Sequence, residues 1–207
     1  MDIYEELGVT AYINANEWYT SQGGSMSAAP VIKAMAEAAY KNVNFSELQG
    51  AVDDAIARLT QNESACVTYS ATAGIVLSVG AFMAGLDAKK SEQLPDTDGL
   101  KDEVIMYACG RFDEDPAVRI PGARIVEIGD QSGATMEDLQ NAITDRTAAV
   151  FTGPSGPNMI PLKELTTVTH ERGVGIIVDI AWALPPKENL WRFTEEDGAD
   201  AVLISGG

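Results

Sequence analysis

The sequence predicts an α/β domain with a mostly parallel sheet and helices on both faces. Short apolar runs alternate with segments of helical periodicity along most of the 207 residues. The runs are continuously apolar and do not alternate with polar residues, which is typical of parallel strands buried on both sides. An apolar content of 45% is enough for the core of one large folded domain.

Residues 1–62 are predicted to form an N-terminal arm followed by two helices. Ser27 is a candidate N-cap, and Pro30 suits the first turn of a helix that continues to residue 40. A second helix is expected from Ser46, with Gln49 three residues on, as in a capping box. Residues 63–207 are predicted to form the larger domain, which carries the sheet.

Six candidate strands follow one another in the larger domain. They are residues 65–69, 104–107, 125–128, 148–152, 174–178 and 201–204. Helices are expected after the turn at residues 70–74, at residues 135–143 and at residues 162–172. Residues 89–101 are predicted to be a polar loop, since they contain Pro95 and Gly99.

The composition argues against several classes of function. The chain has 14 Lys and Arg residues against 31 Asp and Glu residues, and its net charge is −17. Such a polyanion repels nucleic-acid phosphates and anionic lipids, and its scattered arginines form no basic stripe. The acidic start lacks the pattern of a signal peptide, and the most apolar stretch contains Asp179. A cytoplasmic protein without a membrane segment is therefore expected.

The turn formed by Ser70, Ala71 and Thr72 is a candidate binding site. It follows an apolar run, and ligands of open parallel sheets lie beyond the carboxyl ends of the strands. Small residues, hydroxyls and the free N–H groups of a helix start together favour an anion such as phosphate, although an ordinary helix cap is the alternative. The chain contains no Walker loop and no GxGxxG string, which disfavours a nucleotide-binding domain.

Asp179 is a second candidate, because a carboxylate directly after a buried strand needs a partner. That partner is a metal ion, a ribose or a protonated heterocyclic nitrogen, and the alternative is an aspartate that caps a loop. A metal is disfavoured, since the chain has one histidine and no carboxylates clustered beside Asp179. Ser205, in the turn after the last strand, means little by itself.

Seven short strings stand in order along nearly the whole chain: YEELGV at residues 4–9, INA at 13–15, GGSM at 23–26, ELQ at 47–49, SATAG at 70–74, LPDT at 94–97 and VDIA at 178–181. Together they resemble the selenocysteine-synthase-like family of pyridoxal-phosphate (PLP) enzymes, which covers L-seryl-tRNA selenium transferase and D-glucosaminate-6-phosphate ammonia-lyase. The resemblance implies the aminotransferase-like fold of fold type I, with residues 63–207 as the PLP-binding large domain.

The resemblance also implies a role for each candidate residue. Asp179 would pair with the pyridine nitrogen and keep it protonated, which makes the ring an electron sink. The other cofactor contacts would come from Ser70, Ala71 and Thr72 at the phosphate, Ser205 as a further phosphate donor, Ala181 against one ring face and Ser155 near the phenolic oxygen.

Substrate contacts are expected from Ser25 and Arg111. Arg111 could bind a substrate carboxylate or phosphate bidentately, and the alternative is a surface salt bridge. Gly110 stands where the family often has a histidine that stacks on the ring. Phe112 and Tyr107 are the candidates to replace that histidine.

The Schiff-base lysine of the family follows a Ser-Gly-Gly sequence, and this chain ends with those three residues at positions 205–207. The lysine is therefore expected to lie outside the chain, which is interpreted as an N-terminal portion of a longer enzyme and as inactive alone. Truncation, a lysine modified by its cofactor and true loss of the lysine remain open.

The implied function is that of a PLP-dependent lyase. It would carry out α,β-elimination or deamination on an amino acid or amino sugar acid, as a homodimer or higher homo-oligomer. One alternative is L-seryl-tRNA selenium transferase, against which the net charge of −17 argues, because tRNA binding needs a basic surface. The other alternative is a lysine-less, non-catalytic remnant of the same fold.

Overall fold

The computed structural model describes residues 2–15, 23–154, 156 and 158–206. The chain divides into two compact units, Met1–Asn44 with Gly206–Gly207, and Phe45–Ser205. The domain boundary predicted after residue 62 stays a prediction. In the first unit, helices α1 (Ile3–Glu6) and α2 (Ala29–Ala38) are present. The predicted N-cap at Ser27 is wrong, because α2 begins after Ala28 and has no side-chain cap.

The second unit alternates strands with helices. Its elements are α3 (Phe45–Thr60), α4 (Ala71–Ala84), α5 (Ala88–Gln93), β1 (Glu103–Tyr107), α6 (Asp115–Arg119), β2 (Arg124–Ile128), α7 (Met136–Ala142), β3 (Thr147–Thr152), α8 (Leu162–Glu171), β4 (Gly175–Asp179), α9 (Asn189–Glu195) and β5 (Ala201–Leu203). A single 3-10 turn follows β1. The strands pair in the order β2-β1-β3-β4-β5, and each pair is parallel. The predicted α/β class with a parallel sheet is confirmed.

Helices cover both faces of the sheet. Val104 and Met106 of β1 belong to one buried cluster, together with Ile75 of α4. Ile105 and Tyr107, which point to the other face, belong to a second cluster with residues of α7, α8 and α9. Both faces of the strand are thus buried, which explains why the strands appear in the sequence as continuous apolar runs.

Residues 65–69, predicted as the first strand, do not join the sheet. Side chains of α3 bond the backbone of this segment instead. Asp53 accepts the Val67 N–H at 2.8 Å, and Gln49 donates to the Val67 C=O at 3.1 Å. Both backbone groups of Val67 are thus bonded to side chains, and the segment is not part of the five-stranded sheet. The prediction of six strands is therefore wrong for this segment.

The segment predicted as a polar loop at residues 89–101 is partly helical. Helix α5 begins after Asp87, whose carboxylate accepts the N–H groups of Lys89 and Lys90. The loop prediction is correct only beyond this short helix. The cap is the local signal that marks the helix start, since an aspartate in that position satisfies N–H groups that otherwise lack partners.

Two further observations concern the described part of the chain. No helix there has both the length and the apolar character needed to cross a membrane. No group of three or more His, Cys, Asp and Glu side chains there is arranged to hold a metal ion.

Candidate functional site

The carboxyl edge of the sheet brings together most of the residues predicted for the site. Strand β1 lies between β2 and β3, so the connections that follow β1 and β2 lead to opposite sides of it. Such a change of direction opens a crevice beyond the carboxyl ends of the strands. The segments that follow β1, β3, β4 and β5 reach this edge.

Asp179 is the last residue of β4, and only 5% of its surface is exposed. Its carboxylate accepts the Ala181 N–H at 2.9 Å, and within the described ranges no cation pairs with it. Burial raises the pKa of Asp179 above its ordinary value of 3.8, and the charge of Glu114 raises it further, although the hydrogen bond from Ala181 acts in the opposite direction. A carboxylate in this environment favours a ligand that presents N–H⁺ to it.

The turn before α4 is the helix start that the sequence predicts. The Ser70 hydroxyl oxygen accepts the Ala73 N–H at 3.1 Å, so its role as an N-cap is confirmed. Ser70 and Thr72 are exposed, and Ala71 is half-buried. The Ser70 hydroxyl keeps its own hydrogen for a ligand, and the N-terminus of this 14-residue helix favours an anion. The phosphate role of this turn stays a prediction.

Strand β5 links this turn to Asp179. Leu203 is the register partner of Asp179, and its C=O accepts the Ile180 N–H at 2.9 Å. Gly74, in the first turn of α4, lies against the same leucine, since a Cβ at this position would be 3.2 Å from Leu203 Cδ2. Ser205 follows two residues later. The start of α4, Asp179 and Ser205 therefore lie at one edge of the sheet.

Trp182 also lies at this edge, and for a tryptophan here the sequence leaves two roles open, stacking on a ligand or packing. Its indole packs over Gly153, the residue after β3, where a Cβ would be 3.6 Å from Trp182 Cη2 and 3.9 Å from the Asp179 carbonyl oxygen. The side chain is nevertheless 59% exposed. A rigid aromatic surface next to Ala181 and Asp179 can line a ligand pocket. The sequence signal for this position is that the tryptophan stands three residues after Asp179, the carboxylate that ends β4.

Arg111 is engaged in two ion pairs. Its guanidinium bonds Asp115 of α6 and Glu127 of β2. Both carboxylates raise the pKa of Arg111, and the hydrogen bond that Arg111 donates to Asp115 is the largest cause. The structure thus shows the salt-bridge alternative. A substrate anion would compete with both carboxylates, and the substrate role stays a prediction.

Of the two aromatic residues that could replace the stacking histidine, Tyr107 is buried in the core and Phe112 is partly buried against it. Tyr107 is buried, and burial raises its pKa to about 12. Phe112 stacks on Phe151 of β3, with ring centroids 5.8 Å apart. Gly110 ends the 3-10 turn after β1. Neither ring is displayed to solvent in the way that the Trp182 indole is.

The predictions for Ser155 and Ser25 remain. Ser155 lies outside the described residues, so its expected contact with a ring oxygen stays a prediction. Ser25 belongs to the first unit, where it is exposed, and its expected contact with the substrate also stays a prediction.

Comparison with known proteins gives close sequence relatives, although no family model matches. The chain is 32% identical to a D-glucosaminate-6-phosphate ammonia lyase of Salmonella typhimurium, over 99% of this chain and 56% of the relative. It is 31% identical to a 5'-C-glycyluridine monooxygenase-decarboxylase of a Streptomyces species, over 98% of this chain and 52% of that relative. An L-seryl-tRNA(Sec) selenium transferase of Haemophilus influenzae is 24% identical to the chain, over 91% of this chain and 44% of that relative.

The fold comparison agrees with the sequence relatives. A solved structure of D-glucosaminate-6-phosphate ammonia-lyase matches with a TM-score of 0.91 at 31% identity, over 100% of this chain and 57% of that one. In both sequence and fold, the chain is similar to D-glucosaminate-6-phosphate ammonia-lyase. The predicted resemblance is confirmed, and so is the aminotransferase-like fold, which an aspartate aminotransferase from Thermotoga maritima shares at a TM-score of 0.51. The chain spans about half the length of the curated relatives it matches.

Proposed function

We propose that the chain supplies the cofactor-binding part of a PLP-dependent lyase that acts on an amino acid or amino sugar acid. The observation that carries this proposal is the buried carboxylate of Asp179 at the carboxyl edge of the sheet, with a raised pKa. The 32% identity to an ammonia lyase for an amino sugar acid phosphate supports the choice of reaction and substrate class.

The residues at this edge fit PLP chemically. Asp179 offers a buried acceptor to the N–H⁺ of a pyridine ring, and Ser70 and Thr72 offer hydroxyls to a phosphate at the N-terminus of α4. Leu203 pairs with Asp179 in the sheet and lies against Gly74 in the first turn of α4. One ligand that carries both a ring nitrogen and a phosphate suits this pair of sites.

Bound PLP supplies an electron sink for negative charge at the substrate carbon beside the amine. Asp179 holds a proton on the ring nitrogen, because the ion pair formed there favours the charged form of both groups. Ser70, Thr72 and the first N–H groups of α4 bind the phosphate and fix the orientation of the ring. Ala181 leaves space beside the ring, and Trp182 shields the site from water.

A spectroscopic titration tests the proposal in the complete gene product. Addition of PLP is expected to produce a visible absorption band, and addition of D-glucosaminate 6-phosphate is expected to release ammonia. The Asp179→Ala variant should lose ammonia release. The Asp145→Asn variant, which alters an exposed carboxylate, should keep it. No absorption band with the unmodified protein would overturn the proposal.

A second candidate reaction comes from the 31% identity to the monooxygenase-decarboxylase over 98% of this chain. In that case the reaction would consume oxygen and release carbon dioxide from a nucleoside with a glycyl group. An assay of ammonia release without oxygen distinguishes the two reactions, because a lyase continues to release ammonia under that condition. Oxygen uptake coupled to carbon dioxide release would contradict the lyase proposal and support this second function.

We also propose that the protein is a cytoplasmic homodimer or larger homo-oligomer. Tyr69, Leu77 and Ile120 are large apolar residues of the second unit that remain exposed, and exposed apolar side chains are suited to a subunit interface. Light scattering after gel filtration of the complete gene product should give at least twice the mass of one chain. A monomer at all concentrations would contradict this assembly.

A further inference from the structure

Gln49 and Asp53 lie one turn apart on α3 and together bond both backbone groups of Val67. Asp53 accepts the Val67 N–H at 2.8 Å, and Gln49 Nε2 donates to the Val67 C=O at 3.1 Å. Gln49 Nε2 also donates to Asp53 Oδ1 at 2.8 Å, so the two side chains orient each other. We refer to Gln49 and Asp53 as the Val67 clamp.

The Val67 clamp is connected to the candidate phosphate turn by further hydrogen bonds. Thr68, the next residue, donates its hydroxyl to the Ser70 C=O at 2.8 Å. The same carbonyl accepts the Gly74 N–H at 3.0 Å, which is the first bond of α4. A continuous series of bonds therefore leads from α3 through Val67 to the start of α4.

Burial does little to hold this segment in place. The Val67 side chain is 46% exposed, and Tyr69 and Ser70 are exposed as well. In the described part of the chain, residues 65–69 have no neighbouring strand. A segment with few buried contacts and no strand pairing takes its conformation from its remaining hydrogen bonds.

We propose that Gln49 and Asp53 are positioning residues that hold the turn of Ser70, Ala71 and Thr72 ready for the phosphate of the cofactor. This inference rests on the proposed function. A turn that is ordered before binding loses less conformational entropy when the ligand binds. Loss of this order should therefore weaken the affinity for the ligand. The effect is specific to ligands that carry the phosphate, because the clamp makes no contact with the Asp179 carboxylate.

The test compares PLP with pyridoxal, which has the same ring and aldehyde but no phosphate. Gln49→Ala and Asp53→Ala variants of the complete gene product should bind PLP about five- to tenfold more weakly than the unmodified protein. Their affinity for pyridoxal should stay within about twofold. Asp54→Ala is the matched control, since it removes an exposed carboxylate of the same helix that takes no part in the clamp.

Conservative variants keep the test decisive. Asp53→Asn retains an oxygen acceptor for the Val67 N–H and should restore PLP affinity. If an alanine variant does not fold, Gln49→Met keeps a similar side-chain size and removes the amide donor without adding a charge, and it should weaken the binding of PLP alone. Unchanged PLP affinity, or an equal loss for PLP and pyridoxal, would overturn the positioning role. An unmodified protein that binds neither compound would overturn the proposed function, and the positioning role with it.

Discussion

The Asp179 carboxylate is unfavourable for stability until a cation lies beside it. Burial raises its pKa above 3.8, so the folded state binds this proton more tightly than the unfolded chain does. Below the unfolded value both states are protonated and stability is unaffected. As the pH rises through the raised pKa, the folded state has to ionise a buried group and loses stability. A ring N–H⁺ beside the carboxylate would restore the lost stability.

The variant Asp179→Asn should therefore be more stable than the unmodified protein when no ligand is bound. The amide still accepts the Ala181 N–H and cannot ionise, so a gain on the order of 1 kcal/mol is expected at neutral pH. The gain should disappear below about pH 4, where Asp179 is protonated in both states. Urea unfolding at the two pH values measures it, with Asp145→Asn as a control that should show no such pH dependence. A variant that is less stable at neutral pH would contradict the argument.

Trp182 should report on ligand binding through its fluorescence. Its indole is exposed and packs beside Gly153 at the carboxyl edge, so bound PLP should quench its emission. The Trp182→Phe variant is expected to lose most of the quenching that PLP causes, whereas Trp191→Phe on α9 should keep it. Quenching that is equal in both variants would place the ligand away from Trp182.

At the scale of elements, β4 and α4 depend on a glycine for their contact. Gly175 begins β4, and a Cβ there would overlap the ring of Phe82 on α4. Gly50 on α3, by contrast, faces open space. The two glycines thus differ in whether a methyl group can be accommodated.

The variants Gly175→Ala and Gly50→Ala should shift stability in opposite directions. The first forces Phe82 to move, and a loss of about 1–3 kcal/mol is expected. The second removes backbone freedom from a helix without a clash, and a gain of about 0.5–1 kcal/mol is expected. Thermal and urea unfolding of both proteins measure the difference. A stable Gly175→Ala variant would show that α4 does not need this close approach.

The success of sequence-based prediction differs between elements for physical reasons. Strands β1, β3 and β4 are predictable because burial on both faces leaves a nearly continuous apolar run in each. The edge strands β2 and β5 are less buried and are indicated by shorter apolar runs. Residues 65–69 show the same local signal, but strand formation requires a neighbouring strand, and α3 bonds Val67 instead. For the site, Asp179 and Ser70 are predictable from their places after apolar runs. The ion pairs of Arg111 are not, because Glu127 is brought to it by the sheet.

At the scale of the whole chain, its 207 residues carry a net charge of −17, which repels polyanions. A small anionic substrate needs only a local site, whereas tRNA would have to overcome the repulsion of the entire surface. The charge therefore supports a small-molecule substrate over the tRNA substrate named in the selenium transferase relatives.

The complete gene product should not bind tRNA at physiological ionic strength. Repulsion between like charges is screened over about 8 Å at 0.15 M salt, but direct phosphate contacts would still lack basic partners. A gel-shift assay with bulk tRNA measures this binding. The protein in the assay should be saturated with PLP. Retention of tRNA under these conditions would favour the selenium transferase alternative.

The bonds between the Val67 clamp and the backbone also have an evolutionary consequence. Gln49 and Asp53 recognise the N–H and C=O of Val67, which every residue except proline provides, and its side chain is half-exposed. Selection then acts on positions 49 and 53 as a pair and leaves the identity of residue 67 nearly free. Among homologous sequences, position 67 is expected to vary widely without proline, while positions 49 and 53 change together.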